Sequence, residues 1–96
     1  MNSPTNLFSS IKLGKVSLPN RIVMSPMTRL RADYTIPTKL MATYYGQRAN
    51  AGLIVSECTM ISPISNGYMN CPGIYTAEQI KGWKMTTKAV HDRGGK

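Results

Sequence analysis

The sequence predicts an α/β fold in which parallel strands alternate with helices, and three observations predict it. A β-branched apolar segment at 21–25 precedes a segment with helical periodicity at 38–51. A run at 53–57 that starts with three consecutive apolar residues follows, which is typical of a strand buried on both faces of a parallel sheet. A second helical segment at 77–93 completes the order β, α, β, α, and that order implies right-handed βαβ units.

A short hairpin is predicted ahead of this alternating part. Residues 11–18 alternate between apolar and polar side chains around a central Gly14, as in an exposed hairpin. Pro19 and Asn20 then interrupt the chain, and Pro26 closes the strand that begins at Arg21.

The first helix is predicted over 38–51, and its inward face is given by apolar residues at helical spacing, namely Leu40, Met41, Tyr44, Tyr45 and Ala49. Gly52 follows directly. We expect it to end the helix with a positive φ, which glycine adopts without steric cost.

The second helix begins with a capping box, in which Thr76 and Gln79 satisfy each other's backbone amides. Its predicted inward stripe consists of Ile80, Trp83, Thr87 and Val90, and Gly94 with Gly95 ends it. Between the second strand and this helix lies a long loop at 62–73, and long ordered loops are often functional.

Composition limits the class of protein further. A chain of 96 residues that is 42% hydrophobic and 17% charged is enough for one small ordered domain. Its apolar runs are only a few residues long, and a membrane span needs about 20. The first residues also lack the pattern of a signal peptide. With two cysteines the chain has no disulfide framework, so we expect a reduced, cytoplasmic protein.

The net charge of +8 permits a nucleic acid or an anionic ligand as partner but selects neither. A small basic nucleic-acid-binding module is therefore the alternative function. Against it, the lysines and arginines are scattered from Lys12 to Lys96, and no nucleic-acid motif is present. We expect no nucleic-acid or membrane partner.

Several segments in order along the chain resemble the Old Yellow Enzyme family of flavin-dependent oxidoreductases. The resemblance spans nearly the whole chain and rests on the following segments: 7–8, 19–29, 44–49, 52–57, 67–68, 72–75, 79–80, 83–84 and 90–91. The 19–29 segment reads PNRIVMSPMTR, and the 44–49 segment reads YYGQRA.

The resemblance implies the N-terminal portion of a (β/α)8 TIM barrel, consisting of a hairpin and about two βα units. Residues 1–96 would then be a partial, truncated FMN-binding barrel domain. The complete enzyme would be an FMN-dependent NAD(P)H oxidoreductase, or ene-reductase, that reduces activated alkenes such as enones. The family's catalytic residues and phosphate-binding loops lie on later strands. We therefore assign no catalytic residue and expect the isolated chain to be inactive and to self-associate through open strand edges.

The resemblance also implies site residues. Ser25, Pro26, Met27 and Thr28 would meet the flavin ring, with the Thr28 hydroxyl donating to its C4 carbonyl; from spacing alone, a solvated turn is favoured instead. Cys58 stands where the family has a small residue near the flavin, and the alternative is a buried, inert cysteine.

Tyr68 would line the substrate pocket, and its alternative role is to anchor the loop. We interpret Arg29 and Arg31 as solvated or rim charges rather than an anion site. No metal site is expected, because the spacing of Cys58, Cys71 and His91 is not that of a zinc site.

Overall fold

The predicted order of elements is confirmed by a computed structural model, which describes residues 6–65, 67 and 69–96. The elements are β1 (Ile11–Leu13), β2 (Val16–Leu18), β3 (Val23–Met24), α1 (Lys39–Gly46), β4 (Leu53–Ile54), a 3-10 turn (Pro63–Ser65) and α2 (Ala77–His91).

The hairpin forms as predicted. β1 and β2 pair antiparallel, with Ile11 opposite Leu18 and Leu13 opposite Val16. Gly14 occupies the turn with a φ of +61°, a conformation that strains residues with a side chain. Leu18 is buried, whereas the rest of the hairpin is exposed or half-buried.

β3 and β4 are adjacent and parallel, which confirms the predicted βαβ pairing. Val23 lies opposite Leu53, and Met24 lies opposite Ile54. Met24 and Ile54 share one face of the sheet and pack against the helical core, so the helices cover that face. Val23 on the opposite face is 52% exposed.

Both parallel strands are shorter than the predicted spans 21–25 and 53–57. The expected burial of the second strand on both faces is wrong for the described chain, in which Leu53 and Ile54 are half-buried and Val55 is exposed. The physical reason is that the helices cover only one face of this two-stranded sheet.

α1 begins as predicted, because the Thr38 hydroxyl accepts from the Met41 amide at 3.3 Å. It ends at Gly46 rather than at residue 51, and turns carry the chain on. The predicted role of Gly52 is wrong, since positive φ among the described glycines occurs at Gly14 and Gly94. A Cβ on Gly52 would lie 2.1 Å from the Asn20 carbonyl oxygen, so glycine is needed for the close approach of two backbones.

The inward face of α1 is confirmed in part. Met41, Tyr45 and Ala49 are buried, whereas Tyr44 is half-buried and Leu40 is exposed. Leu40 is the second residue of the helix, and its side chain lines an open cavity beside Tyr44.

The capping box of α2 is confirmed. Thr76 accepts from the Gln79 amide at 3.1 Å, and the Gln79 side chain accepts from the Thr76 amide at 3.0 Å. Gly94 follows the helix with a φ of +80°. The helix itself ends at His91, with Asp92 as its C-cap.

The predicted stripe of α2 is right at Trp83 and Val90, which are buried, and wrong at Ile80 and Thr87, which are exposed. Small residues take the inward position instead, namely Gly82 and Thr86. A Cβ on Gly82 would lie 2.5 Å from the carbonyl oxygen of Pro37. Close packing against that backbone therefore places Gly82 on the buried face of α2, together with Gln79 and Trp83.

The core lies between α1, α2 and the inner face of the sheet. Its buried members are Ala32, Met41, Tyr45, Ala49, Trp83 and Val90. The helices pack closely at Gly46, where a Cβ would lie 3.3 Å from the Ala89 side chain. Arg93 also donates to the Gly46 carbonyl at 2.8 Å, which ties the end of α2 to the end of α1.

Candidate functional site

Two exposed segments leave the same edge of the parallel sheet. Residues 25–28 follow the carboxyl end of β3, and Cys58 lies four positions after Ile54 at the end of β4. The Val55 amide still donates to the Met24 carbonyl at 3.0 Å, so the two strands diverge only beyond this point. The four residues 25–28 and Cys58 are all exposed, and such an edge is where α/β barrels build their sites.

Met27 lies on a cavity of about 350 Å³ beside the C-terminal end of α1. The cavity is lined by Ile22, Met24, Met27, Arg48, Asn50 and Ala51. Thr28 and Cys58 are not among these lining residues. The structure thus gives Met27 an apolar neighbourhood near the sheet, while the flavin roles of residues 25–28 stay predictions.

Tyr68, the predicted substrate-contacting residue, lies outside the described residues. The loop beyond it is anchored to the loop after β3, because the Ala32 amide donates to the Asn70 carbonyl at 3.1 Å. Asn70 has a φ of +57°, in the left-handed region that asparagine tolerates better than most residues.

A buried carboxylate stands directly before Cys58, and the sequence reasoning missed it. Glu57 is 3% exposed and Tyr45 is 1% exposed. The Tyr45 hydroxyl donates to Glu57 Oε2 at 2.7 Å and accepts from the Glu57 amide at 3.0 Å. Burial, and then the hydrogen bond to Glu57, raises the pKa of Tyr45 well above its ordinary value. The phenol therefore stays a proton donor and holds the end of β4 against α1.

Glu57 also lines a cavity of about 260 Å³, together with Arg29 and Arg31. The second carboxylate oxygen, Oε1, is buried and has no hydrogen-bond partner among the described atoms. Two guanidinium groups make cation–π contacts with the Tyr44 ring beside this cavity. Arg48 lies 3.9 Å and Arg29 lies 5.5 Å from the ring centroid. Arg29 and Arg31 are exposed, in accord with the interpretation of rim charges.

One signal could have pointed to Glu57. It is one of four acidic residues in a strongly basic chain, and it ends the predicted strand 53–57, which begins with three apolar residues. A carboxylate in that position is seldom fully buried without a partner. The partner, however, lies on another element and is not visible from spacing.

The two cysteines lie beside each other, and only one of them is accessible. Cys58 is exposed, so the alternative of a buried, inert cysteine at this position is wrong. Cys71 is the buried one, and its thiol donates to the Cys58 carbonyl at 3.2 Å. Burial, and then the proximity of Cys58, raises the pKa of the Cys71 thiol.

Within residues 6–65, 67 and 69–96, no group of three or more His, Cys, Asp and Glu side chains could hold a metal ion. Cys58, Cys71 and His91 accordingly form no such group. In the same part of the chain, neither helix has the length and apolar character that crossing a membrane requires.

Solved structures identify the architecture that these elements belong to. Morphinone reductase in complex with tetrahydroNAD superposes with a TM-score of 0.94 at 50% identity, covering 97% of this chain and 26% of that chain. An Old Yellow Enzyme homologue from Zymomonas mobilis superposes with a TM-score of 0.92 at 48% identity, over 95% of this chain and 26% of that chain. The class is therefore that of TIM-barrel oxidoreductases of the Old Yellow Enzyme type, of which this chain is an N-terminal portion.

Sequence comparison agrees with the structural one. A putative 12-oxophytodienoate reductase from Oryza sativa subsp. japonica is 45% identical over 89 residues, which is 92% of this chain and 24% of that protein. The model of the NADH:flavin oxidoreductase / NADH oxidase family matches residues 6–96. The chain belongs to this family, which confirms the resemblance carried by its motifs. It spans about a quarter of the length of the relatives above.

Proposed function

We propose that this chain forms part of the flavin site of an FMN-dependent NAD(P)H oxidoreductase that reduces activated alkenes. The observation that carries the proposal is the parallel pairing of β3 with β4, because it places residues 25–28 and Cys58 at one exposed edge. Membership of a flavin oxidoreductase family supports the choice of cofactor. The substrate would be a small enone-type molecule.

The residues at this edge suit a flavin ring in their chemistry. Ser25 and Thr28 supply hydroxyl groups, and Pro26 and Met27 supply apolar surface, of which Met27 is 40% exposed. When bound, FMN would supply hydride transfer between NAD(P)H and the alkene. We assign to Thr28 a hydrogen bond to the C4 carbonyl of the ring, since a fixed donor there stabilises the charge of the reduced form.

Cys58 would contribute a small side chain beside the ring, and Tyr68 would contact the substrate. Tyr45 and Glu57 would act indirectly, because their hydrogen bonds hold the residue that precedes Cys58. The described residues supply part of a flavin site, and we propose that the 96-residue chain alone neither binds FMN tightly nor turns over NAD(P)H.

A segment exchange tests the proposal. Residues 6–96 would replace the matching segment of morphinone reductase, which the likeness of the two backbones makes feasible. We expect the chimera to purify with FMN and to oxidise NADH with cyclohexenone as acceptor. Thr28→Ala in the chimera should lower the rate by about 10- to 100-fold. Thr87→Ala, a matched change on an exposed surface of α2, should not.

Two results would contradict the proposal. A folded chimera that lacks flavin would show that residues 25–28 and Cys58 do not suit the cofactor. Equal rates for the Thr28 and Thr87 variants would remove the role given to Thr28. In parallel, submicromolar FMN binding by the isolated chain would contradict its proposed inactivity.

We also propose that the isolated chain self-associates through its strand edges. β3 pairs only with β4 among the described residues, and Val23 is 52% exposed on it, whereas β4 is partly covered because the Ile54 amide donates to the Lys96 carbonyl at 2.9 Å. Unpaired strand edges are templates for further pairing. Sedimentation velocity across a range of concentrations would test this, and a monomer throughout would contradict it.

Neither nucleic acid nor membrane is proposed as a partner. Several cationic side chains bond within the chain: Lys88 pairs with Asp92, Arg93 bonds the Gly46 carbonyl, and Arg48 lies over Tyr44. A salt-dependent gel shift at low protein concentration would favour the nucleic-acid module instead. We propose a cytoplasmic location, because two cysteines do not make a disulfide framework of the kind that secreted domains carry.

A further inference from the structure

The segments that carry the two cysteines run parallel to each other after β4. Met60 and Gly73 form a parallel bridge. The Met60 amide donates to the Pro72 carbonyl at 2.9 Å, and the Met60 carbonyl accepts from the Ile74 amide at 3.0 Å. This is the bond pattern of a parallel ladder, and it defines which residues of the two segments are opposite each other.

Extended back by two residues on each segment, the register of this bridge sets Cys58 opposite Cys71. In a continuing ladder, the Cys58 carbonyl would accept from the backbone N–H of residue 72. That residue is Pro72, which has no N–H, so the ladder stops there. The Cys71 thiol takes the vacant position and donates to the Cys58 carbonyl at 3.2 Å. The Cys71 side chain is therefore turned toward Cys58.

This arrangement suits a covalent bond between the two sulfurs. The Cys71 sulfur lies 3.2 Å from the Cys58 carbonyl oxygen, so the two residues are in direct contact, which a bond between Cα atoms roughly 4.4–6.8 Å apart requires. The two thiols also differ in access, because Cys58 is exposed and Cys71 is 2% exposed. A small oxidant can therefore reach Cys58 first, and Cys71 is placed to react with the product.

We propose that Cys58 and Cys71 are a redox-sensitive pair that closes into a disulfide on exchange with a low-molecular-weight disulfide such as oxidised glutathione. The Cys58 thiolate attacks one glutathione sulfur, forming a mixed disulfide and releasing one glutathione thiolate. The Cys71 thiolate then attacks the Cys58 sulfur and releases the second glutathione. Two protein thiols are oxidised, one glutathione disulfide is reduced to two thiols, and the two protons go to the released thiolates.

The bond would close a ring that contains the 3-10 turn Pro63–Ser65 and the loop with Tyr68. It would thus link the end of β4 to the segment that leads into α2. The pair is defined by the contact of the Cys71 thiol with the Cys58 carbonyl and by the bridge between Met60 and Gly73. It holds or fails independently of flavin binding.

The test uses the reduced 96-residue chain, equilibrated with graded ratios of reduced to oxidised glutathione and quenched in acid. We expect the product to lose both free thiols and about 2 Da of mass, with no glutathione retained. Trypsin leaves both cysteines in one peptide, because no Lys or Arg lies between Arg48 and Lys81. Chymotrypsin cleaves after Tyr68 instead, and the two cysteine peptides should stay joined until a reductant is added.

Two matched variants show which cysteine reacts in each of the two exchange steps. Cys71→Ser should retain one glutathione on Cys58, since the resolving thiol is gone. Cys58→Ser should react slowly with glutathione disulfide, since Cys71 is buried. The wild-type chain in about 6 M urea is the control for the fold, and its disulfide should be at least about tenfold less favoured than in buffer.

Three outcomes would overturn the proposal. One is a wild-type chain that keeps its glutathione adduct on Cys58. Another is a disulfide that joins two chains, seen as a dimer whose share grows with concentration. The third is an equal disulfide equilibrium in buffer and in urea. The wild-type peptide map decides the question even if a variant fails to fold.

Discussion

Replacement of Tyr45 by Phe removes one oxygen atom from the centre of the core. It should lower the free energy of unfolding far more than the volume of that atom suggests. The Tyr45 hydroxyl makes two bonds to the same residue, one to the Glu57 carboxylate at 2.7 Å and one from the Glu57 amide at 3.0 Å. Both residues are more than nine-tenths buried, at 1% and 3% exposure, so water does not replace either bond without disrupting the packing.

The magnitude follows from the two bonds. A hydrogen bond to a charged group contributes about 1.5–3 kcal/mol, and a buried backbone N–H left without an acceptor costs about 1–3 kcal/mol. Together they predict that Tyr45→Phe lowers the free energy of unfolding by about 2.5–6 kcal/mol. Tyr44→Phe is the matched control, because the Tyr44 ring is only half-buried, and we expect a change below about 0.5 kcal/mol.

Urea unfolding followed by tryptophan fluorescence measures both variants. Trp83 is the single tryptophan of the chain, and its ring centroid lies 6.5 Å from that of Tyr45. It therefore reports the same part of the core. A domain of this size has a stability of only about 5 kcal/mol, so the titrations are run in an osmolyte that shifts both transitions upward.

A double-mutant cycle with Glu57→Gln tests the cause. If the charge of Glu57 makes the loss of the tyrosine hydroxyl expensive, the two substitutions should couple by about 1–2 kcal/mol. Equal stabilities of the Tyr45 and Tyr44 variants, or a coupling of zero, would refute the reasoning from the buried pair.

Three further predictions concern the backbone, a cap and pH. Gly52→Ala places a Cβ 2.1 Å from a backbone oxygen and should destabilise the chain by at least about 1–3 kcal/mol in urea titrations, whereas Gly67→Ala, with open space around it, should not. Thr76→Ala removes the N-cap of α2 and should lower the free energy of unfolding by about 1 kcal/mol and weaken the helical circular dichroism signal. The exposed Thr87→Ala should change both quantities little. The pKa of Tyr45 is higher in the folded than in the unfolded chain, so its contribution is complete below the ordinary value of 10.0 and declines as pH rises above it. Melting temperatures from pH 8 to 11 should fall less steeply for Tyr45→Phe, and parallel slopes would contradict this.

The order of elements and their starting points could be predicted from the sequence, because both depend on nearby residues. The predicted capping box at the start of α2 joins Thr76 and Gln79, which are only three positions apart. The apolar runs that become β3 and β4 are continuous along the chain, and their parallel pairing follows from the intervening helix.

The face that α2 buries could not be predicted in the same way. Hydrophobicity favours Ile80 and Thr87 as neighbours of Trp83, yet both are exposed. Gly82 and Thr86 are on the buried face instead. The Pro37 backbone lies so close to Gly82 that a Cβ there would be 2.5 Å from the Pro37 carbonyl oxygen. Helix rotation is thus set by how closely two backbones pack, and a hydrophobic pattern carries no measure of that distance.

Some features of the candidate site could be predicted from the sequence, and others depend on the tertiary structure. The sequence predicts the motif at residues 25–28 and the position of Cys58 after a strand. Both the family resemblance and the ends of strands depend on residues that are near each other along the chain. The contacts of Tyr45 with Glu57 and of Cys71 with Cys58 join residues 12 and 13 positions apart on different segments. Such contacts exist only once α1 is packed on the sheet and the loop has returned beside β4. The tertiary structure alone therefore decided which carboxylate is buried and which cysteine is accessible.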